Sequence, residues 1–306
     1  MTGASIETTL ELWASSLRDV KGRMRGLFTQ ERVAASANLF LDGLLGDERR
    51  KTGWMRAEAA GDPGPWRQQA ILGRGRWDAD ALRDIVRDYV VESLATEDAV
   101  LVIDETGFLK QGKASCGVAR QYTGSAGKIT NCQIGVFAAY VSARGHAFID
   151  RALYLPKIWT GDPARLAATH APEPIAFATK PALAVQMIHR ALAANVPFSW
   201  VTADAVYGVG DVEQALRRAC KGYVLGVPTW IFAPDCTQAA CTSIRPLAHA
   251  QNTPCGAEKS RPCRSASAST SPLFFHRWTS SSITSSGTGA ASTGTGVGCR
   301  SYVRWQ

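Results

Sequence analysis

Apolar residues recur at helical spacing through the first third of the chain. One amphipathic helix is predicted after Asp78, where apolar positions recur about every 3.6 residues: Leu82, Ile85, Val86, Tyr89, Val90 and Leu94. A second apolar face runs over residues 28–45, and the Gly- and Pro-rich segment 61–65 interrupts the pattern between the two. We therefore predict a small helical region over residues 1–95. Four tryptophans within apolar patterns are predicted to lie in the core: Trp54, Trp66, Trp77 and Trp200.

The hydrophobic period changes at residue 99. Residues 99–103 form a continuous apolar run that ends at Asp104, which is typical of a buried strand. The runs 132–142 and 147–155 also have strand character, and the short segment 143–146 between them contains Gly145. These runs predict an antiparallel strand pair.

Helices and strands alternate after that pair. A helical apolar face is formed by Leu183, Met187, Ile188 and Ala191, and the strand-like run 198–202 then leads to Asp204. A helix over 211–219 and a strand over 223–227 follow. This order predicts an α/β fold of the ribonuclease H-like type, a mixed sheet with flanking helices over residues 96–230. In that layout the first and fourth strands are parallel neighbours.

Asp104 and Asp204 are the candidate catalytic and metal-binding residues. Each follows an apolar strand, and the predicted layout brings the ends of these two strands together. Phosphodiester cleavage in this fold uses two Mg²⁺ ions about 3.5–4 Å apart, and such hard cations need oxygen ligands. The alternative is that each aspartate only caps a strand or the next helix.

A basic, Gly-rich segment lies between the first two predicted strands. Its candidate DNA-binding residues are Lys110, Lys113, Arg120, Tyr122 and Lys128. Basic and aromatic side chains on a hairpin suit contacts with a phosphate backbone, although a solvated loop with incidental charge is the alternative. A nucleotide-binding P-loop over residues 107–114 is disfavoured, because Ala114 lacks the hydroxyl that would bind Mg²⁺.

The composition changes abruptly after residue 230. Residues 231–306 contain 22 Ser or Thr but only nine charged residues, and they lose all apolar periodicity. Such a segment buries too little apolar surface to offset the entropy of ordering it. We predict that this tail is disordered or poorly packed, and we hypothesise that it is translated out of its original frame.

Charge and hydropathy limit the function classes. The net charge of +8 favours nucleic acid as a partner, yet residues 1–230 carry 27 basic against 24 acidic residues, so most of the excess lies in the tail. DNA binding must therefore rest on local clusters. No apolar run approaches the roughly 20 residues of a membrane span, and the N-terminus lacks a secretory pattern. We expect a cytoplasmic protein without a membrane partner.

Four segments together resemble a known family. They are VIDETGFLK at 102–110, GVARQY at 117–122, NCQIGVF at 131–137 and WVTAD at 200–204. In this order they closely resemble bacterial insertion-sequence transposases of type 701, a DDE group, and the resemblance extends from about residue 29 to 228. It implies an Asp-Asp-Glu triad that cuts transposon ends and joins them to target DNA. Asp104 and Asp204 match the two aspartates of this triad. The resemblance also implies Mg²⁺ or Mn²⁺ as cofactor, and it leaves open whether the protein forms a homo-oligomer.

The chain departs from this family at the third carboxylate. The family's glutamate lies on a helix beyond the fifth strand, whereas the tail's acidic residues, Asp235 and Glu258, lie in no helical pattern. Two hypotheses follow: an active transposase, or a catalytically inactive remnant or DNA-binding fragment. If the protein does cleave DNA, Glu213 and Glu105 are the candidates to complete the site, although Glu105 should point to the opposite face of its strand from Asp104.

Overall fold

Five α-helices precede the first strand in the part of the chain that the structure describes. This structure is a computed structural model, and it describes residues 6–171 and 175–226. The helices are α1 (Ile6–Met24), α2 (Glu31–Leu45), α3 (Gly53–Ala59), α4 (Trp66–Gly73) and α5 (Ala79–Leu94). They confirm the predicted helical N-terminal region.

Side-chain caps explain where two of these helices begin. The Thr52 hydroxyl accepts the N–H of Met55 at 3.2 Å at the start of α3. The Asp78 carboxylate accepts the N–H groups of Asp80 and Ala81 at the start of α5. Each cap satisfies backbone donors that have no partner within the helix.

The N-terminal helices bury a small apolar cluster of their own. Its buried members are Met24, Phe28, Ala34, Ala37 and Ile71.

The prediction that Trp54 and Trp66 lie in the core is wrong, because these side chains are 62% and 67% exposed and pack edge-on against each other. They lie at the first turns of α3 and α4, whose inward positions are taken by Arg56, Ala57, Gln68 and Ile71. Trp200 is also partly exposed.

A mixed sheet follows the helices. Its strands are β1 (Val100–Leu109), β2 (Ala119–Thr123), β3 (Lys128–Ser142), β4 (Gly145–Tyr154), β5 (Trp200–Ala203) and β6 (Gly222–Leu225). Among the described residues the order is β2-β3-β1-β5-β6, with β4 also paired to β3. Strand β1 is antiparallel to β3 and parallel to β5, which is in turn parallel to β6.

Four further helices connect the later strands. They are α6 (Lys157–Thr160), α7 (Pro163–Ala168), α8 (Lys180–Ala193) and α9 (Gly210–Arg218). Alternate residues of β1, including Leu101 and Ile103, pack with Met187 and Ile188 of α8 and Leu216 of α9 in the main core. Burial of each such side chain contributes about 1.5–3 kcal/mol, so this face of the sheet holds most of the stability.

This topology is the predicted ribonuclease H-like fold, with two local differences. Strand β1 continues five residues past Asp104 to Leu109, because it remains paired with β3 after its pairing with β5 has ended. Strand β2, which is absent from the predicted element order, pairs with the start of β3 and forms the predicted hairpin within the segment 110–130. The predicted tail, 231–306, lies outside the described residues. No helix within 6–171 or 175–226 has the length and hydropathy of a membrane span.

Candidate active site

Asp104 and Asp204 lie next to each other on neighbouring parallel strands. The paired register of β1 and β5 ends at Ile103 opposite Ala203, and each aspartate is the next residue of its chain segment. Neighbouring strands lie about 4.8 Å apart. Side chains alternate between faces along β1, so Asp104 points away from the buried Ile103, and Asp204 directly follows the last residue of β5. Both carboxylates therefore belong to one edge of the sheet.

Backbone hydrogen bonds orient both carboxylates. Asp104 Oδ1 accepts the N–H of Glu105 at 2.7 Å, and Asp204 Oδ1 accepts the N–H of Val206 at 2.9 Å. The turn after Asp204 also packs tightly on the end of β6, where a Cβ on Gly226 would come within 2.6 Å of a backbone nitrogen. A glycine at this position allows that close approach.

The aspartate pair concentrates negative charge that the nearby Lys180 offsets only in part. Partial removal from water raises the pKa of Asp104, and the charges of Asp204 and Glu105 raise it further. Removal from water also raises the pKa of Asp204, together with the charge of Glu105. Within residues 6–171 and 175–226, neither aspartate forms an ion pair. Two adjacent carboxylates that lack an ion-pair partner among the described residues suit a divalent metal ion, which would favour their ionised forms.

Glu105 points to the other face of β1, as predicted. Its Oε1 accepts Lys180 Nζ at 2.5 Å, and its Oε2 accepts the Tyr207 hydroxyl at 2.5 Å. Burial and the neighbouring Glu105 carboxylate raise the pKa of Tyr207 far above its ordinary value, so the phenol stays a hydrogen-bond donor. Sequence reasoning did not identify Lys180 or Tyr207.

A third carboxylate does not join the pair within the described residues. No group of three or more His, Cys, Asp or Glu side chains suited to a metal is found there. Glu213 on α9 pairs with Arg217 and accepts the Tyr223 hydroxyl at 3.0 Å. Asp235 and Glu258 lie outside the described residues. The described site therefore consists of two aspartates.

The predicted DNA-binding residues lie after the end of β1, with Lys110 and Lys113 in the connection to β2 and the other three on the β2–β3 hairpin. All five are exposed: Lys110, Lys113, Arg120, Tyr122 and Lys128. The hairpin turn contacts β1, since the Ser125 hydroxyl donates to the Gly107 carbonyl at 2.9 Å. The Asn131 amide donates to the carbonyls of Lys110 and Gly112. These contacts hold the basic segment on the strand that carries Asp104, and its role in DNA binding stays a prediction.

Comparisons with known proteins cover most of this structure. A family model described as DDE superfamily endonuclease matches residues 23–230, a range that includes both aspartates. The chain is 28% identical over 187 residues to a probable transposase for insertion sequence element IS701 from Microchaete diplosiphon. That match covers 60% of this chain and 46% of the relative, so the chain spans about half the relative's length.

A solved structure is also similar in part. It is a piggyBac transposase synaptic complex with hairpin DNA, with a TM-score of 0.34 and 13% identity. The similarity covers 70% of this chain and 47% of that one.

Proposed function

Because the chain belongs to the DDE superfamily of endonucleases, we propose that it is a transposase-like protein that cuts DNA at the ends of an insertion sequence and joins those ends to a target. The observation that carries the proposal is the pair Asp104 and Asp204, side by side at the end of the parallel ladder. The resemblance to an insertion-sequence transposase supports the choice of DNA as substrate.

Asp104 and Asp204 would hold the divalent metal, Mg²⁺ or Mn²⁺. Their oxygens are ligands that these cations prefer, and the N–H groups of Glu105 and Val206 fix the direction of one oxygen on each. Metal ions held there would supply the Lewis-acid chemistry that activation of the attacking water or 3′-hydroxyl and stabilisation of the leaving oxygen require. The protein's own contribution is to hold both carboxylates in one orientation before DNA arrives.

The exposed hairpin would position the DNA. Lys110 lies six residues beyond Asp104 on the β1 path, or about 20 Å at 3.3 Å per residue. A duplex that follows β1 with its scissile phosphate at Asp104 would therefore meet Lys110 about six base pairs away, at 3.4 Å per base pair. The helical N-terminal region is the candidate for recognition of the transposon ends. The match to the family model begins at residue 23 and so includes most of this region.

A second function is favoured by one specific observation. The described residues supply two carboxylates, whereas the resemblance implies three. The alternative is a DNA-binding protein without cleavage activity, which would compete with an intact transposase for its ends. In that case the nucleotide sequence around codons 228–236 should recover a helix with a glutamate when the frame is shifted.

The test is a strand-cleavage assay on duplexes that carry the ends of the insertion sequence. The full chain is assayed with Mg²⁺ and with Mn²⁺, beside Asp104→Ala and Asp204→Ala. Cleavage that both substitutions abolish supports the transposase-like function. Duplex binding without cleavage supports the binding-only function. Failure to bind the duplex, or cleavage that survives both substitutions, contradicts the proposed site.

A further inference from the structure

Glu105 lies directly behind the aspartate pair and joins three separate elements. Its backbone N–H donates to Asp104, and its carboxylate accepts from Lys180 at the start of α8 and from Tyr207 in the turn after Asp204. One residue therefore contacts the first aspartate directly and reaches the segment that carries the second.

We propose that Glu105 is a positioning residue that sets the relative orientation of Asp104 and Asp204, with Tyr207 and Lys180 as its partners. The inference rests on the proposed metal site, because it concerns how that site is held. Glu105 itself is not a metal ligand in this arrangement, since each of its carboxylate oxygens already accepts a hydrogen bond from the opposite face of β1.

Tyr207 is the link to the second aspartate. Its ring is fully buried, and its N–H donates to the Asp204 carbonyl at 3.1 Å. Its own carbonyl accepts the N–H of Val209 at 2.8 Å, which closes the turn. A buried ring attached to this turn resists rotation, so the hydroxyl bond to Glu105 fixes the turn against β1.

Lys180 completes the arrangement by neutralising Glu105. The side chains of Glu105 and Lys180 are only 18% and 19% exposed. The Lys180 ammonium donates a charge-assisted hydrogen bond to Glu105 Oε1, which compensates for the partial burial of both groups. This contact fixes one oxygen of the Glu105 carboxylate and leaves the other as the acceptor for Tyr207.

The main test compares two buried tyrosines, Tyr207 in the turn after β5 and Tyr140 on β3. Tyr207→Phe removes the hydroxyl bond to Glu105 and retains the ring. Tyr140→Phe is the matched control, because Tyr140 is equally buried and its hydroxyl bonds Thr96 and Pro197 near the start of the parallel ladder. The measurements are Mn²⁺ affinity of the full chain, by electron paramagnetic resonance titration, and thermal unfolding without metal.

We expect both phenylalanine variants to unfold at a lower temperature, but only Tyr207→Phe to weaken Mn²⁺ binding, by about tenfold. Loss of a residue that orients metal ligands has an effect of this size. A purely structural role would instead move the Mn²⁺ affinity of the two variants equally. Equal affinities in wild type and Tyr207→Phe would overturn the inference.

Lysine variants give a second, independent readout. Lys180→Arg retains the charge next to Glu105 and should keep Mn²⁺ affinity within about threefold of wild type, whereas Lys180→Met should weaken it by about tenfold. Equal Mn²⁺ affinities for these two variants would also contradict the inference. Failure of the proposed function is distinguishable, because wild type would then bind Mn²⁺ no better than Asp104→Ala.

Discussion

The two ends of the parallel pairing between β1 and β5 differ in the hydrogen bonds and charges of their polar groups. Near the start of β1 and β5, the buried Tyr140 hydroxyl donates to the Pro197 carbonyl at 2.7 Å and accepts the N–H of Thr96 at 3.1 Å. Near the other end, Asp104 and Asp204 lie together without an ion pair among the described residues. At the first end the buried Tyr140 hydroxyl has its hydrogen bonds made, whereas the second end leaves two like charges side by side.

This difference separates stability from chemistry within one sheet. A buried group with its hydrogen bonds made contributes to stability, whereas adjacent carboxylates that are partly removed from water reduce it. Such a pair persists when a ligand compensates for it, and a divalent cation is the matching ligand. Substitutions at the aspartate end should therefore reduce activity and raise stability, whereas substitutions at the other end should reduce stability and leave metal binding unchanged.

The largest expected effect is on strand cleavage. Asp104→Asn or Asp204→Asn should reduce cleavage of insertion-sequence ends by about 10³-fold or more, equivalent to roughly 4 kcal/mol of transition-state stabilisation. The same variants should unfold at a higher temperature than wild type without metal, because one of two repelling charges is gone. Kinetic assays and calorimetry check the two parts. Lower stability of both variants would contradict the proposed charge repulsion.

The next effect concerns the opposite end. Phe198→Ala removes a side chain that is 2% exposed in the main core and should cost about 3–5 kcal/mol of unfolding free energy. At temperatures where the variant is folded, its Mn²⁺ affinity should match wild type. Urea unfolding and metal titration measure the two quantities. A parallel loss of Mn²⁺ affinity would show that the two ends are not independent.

The positions of the strands and of the two aspartates were predictable from the sequence, because they depend on the local pattern of apolar and polar residues. An apolar run that ends in aspartate predicted each strand, and the element order predicted that Asp104 and Asp204 would be neighbours. Strand β2 was missed because it has only five residues within a polar, Gly-rich segment. Trp54 and Trp66 were misplaced, because an apolar pattern does not distinguish an inward position from an exposed first turn.

The network behind the aspartates was beyond sequence reasoning. Lys180 is 75 residues from Glu105 in the chain, and Tyr207 is 102 residues away. Neither residue belongs to a spacing motif, so only the folded sheet brings them together. Sequence reasoning also assigned no third carboxylate, and none joins the aspartate pair within residues 6–171 and 175–226.

A smaller effect is expected in the pH dependence of stability. The raised pKa values of Asp104 and Asp204 mean that the folded state holds protons more tightly than the unfolded chain. Their contribution is therefore most favourable below the ordinary aspartate pKa of 3.8 and is lost as pH rises through the folded values. Unfolding free energy measured against pH should show this loss in wild type but not in an Asp104→Asn, Asp204→Asn double variant. Saturating Mn²⁺ should reverse the sign of the wild-type slope, because the bound ion favours the ionised carboxylates and lowers their pKa in the folded state.

The smallest effect concerns the exposed hairpin next to the carboxylate end. Charge reversal at Lys110, Lys113 or Arg120 should weaken binding to duplexes that carry the insertion-sequence ends. The slope of log affinity against log salt concentration is negative, and it should become shallower by about 1 for each lost phosphate contact. Arg144→Glu is the control, because Arg144 is equally exposed but lies in the turn between β3 and β4. Fluorescence anisotropy over a range of salt concentrations provides both values. If Arg144→Glu changes the slope as much as the hairpin variants do, the hairpin contributes only general charge. A reduced slope confined to the hairpin variants would place the duplex along β1, with its backbone passing the aspartate pair.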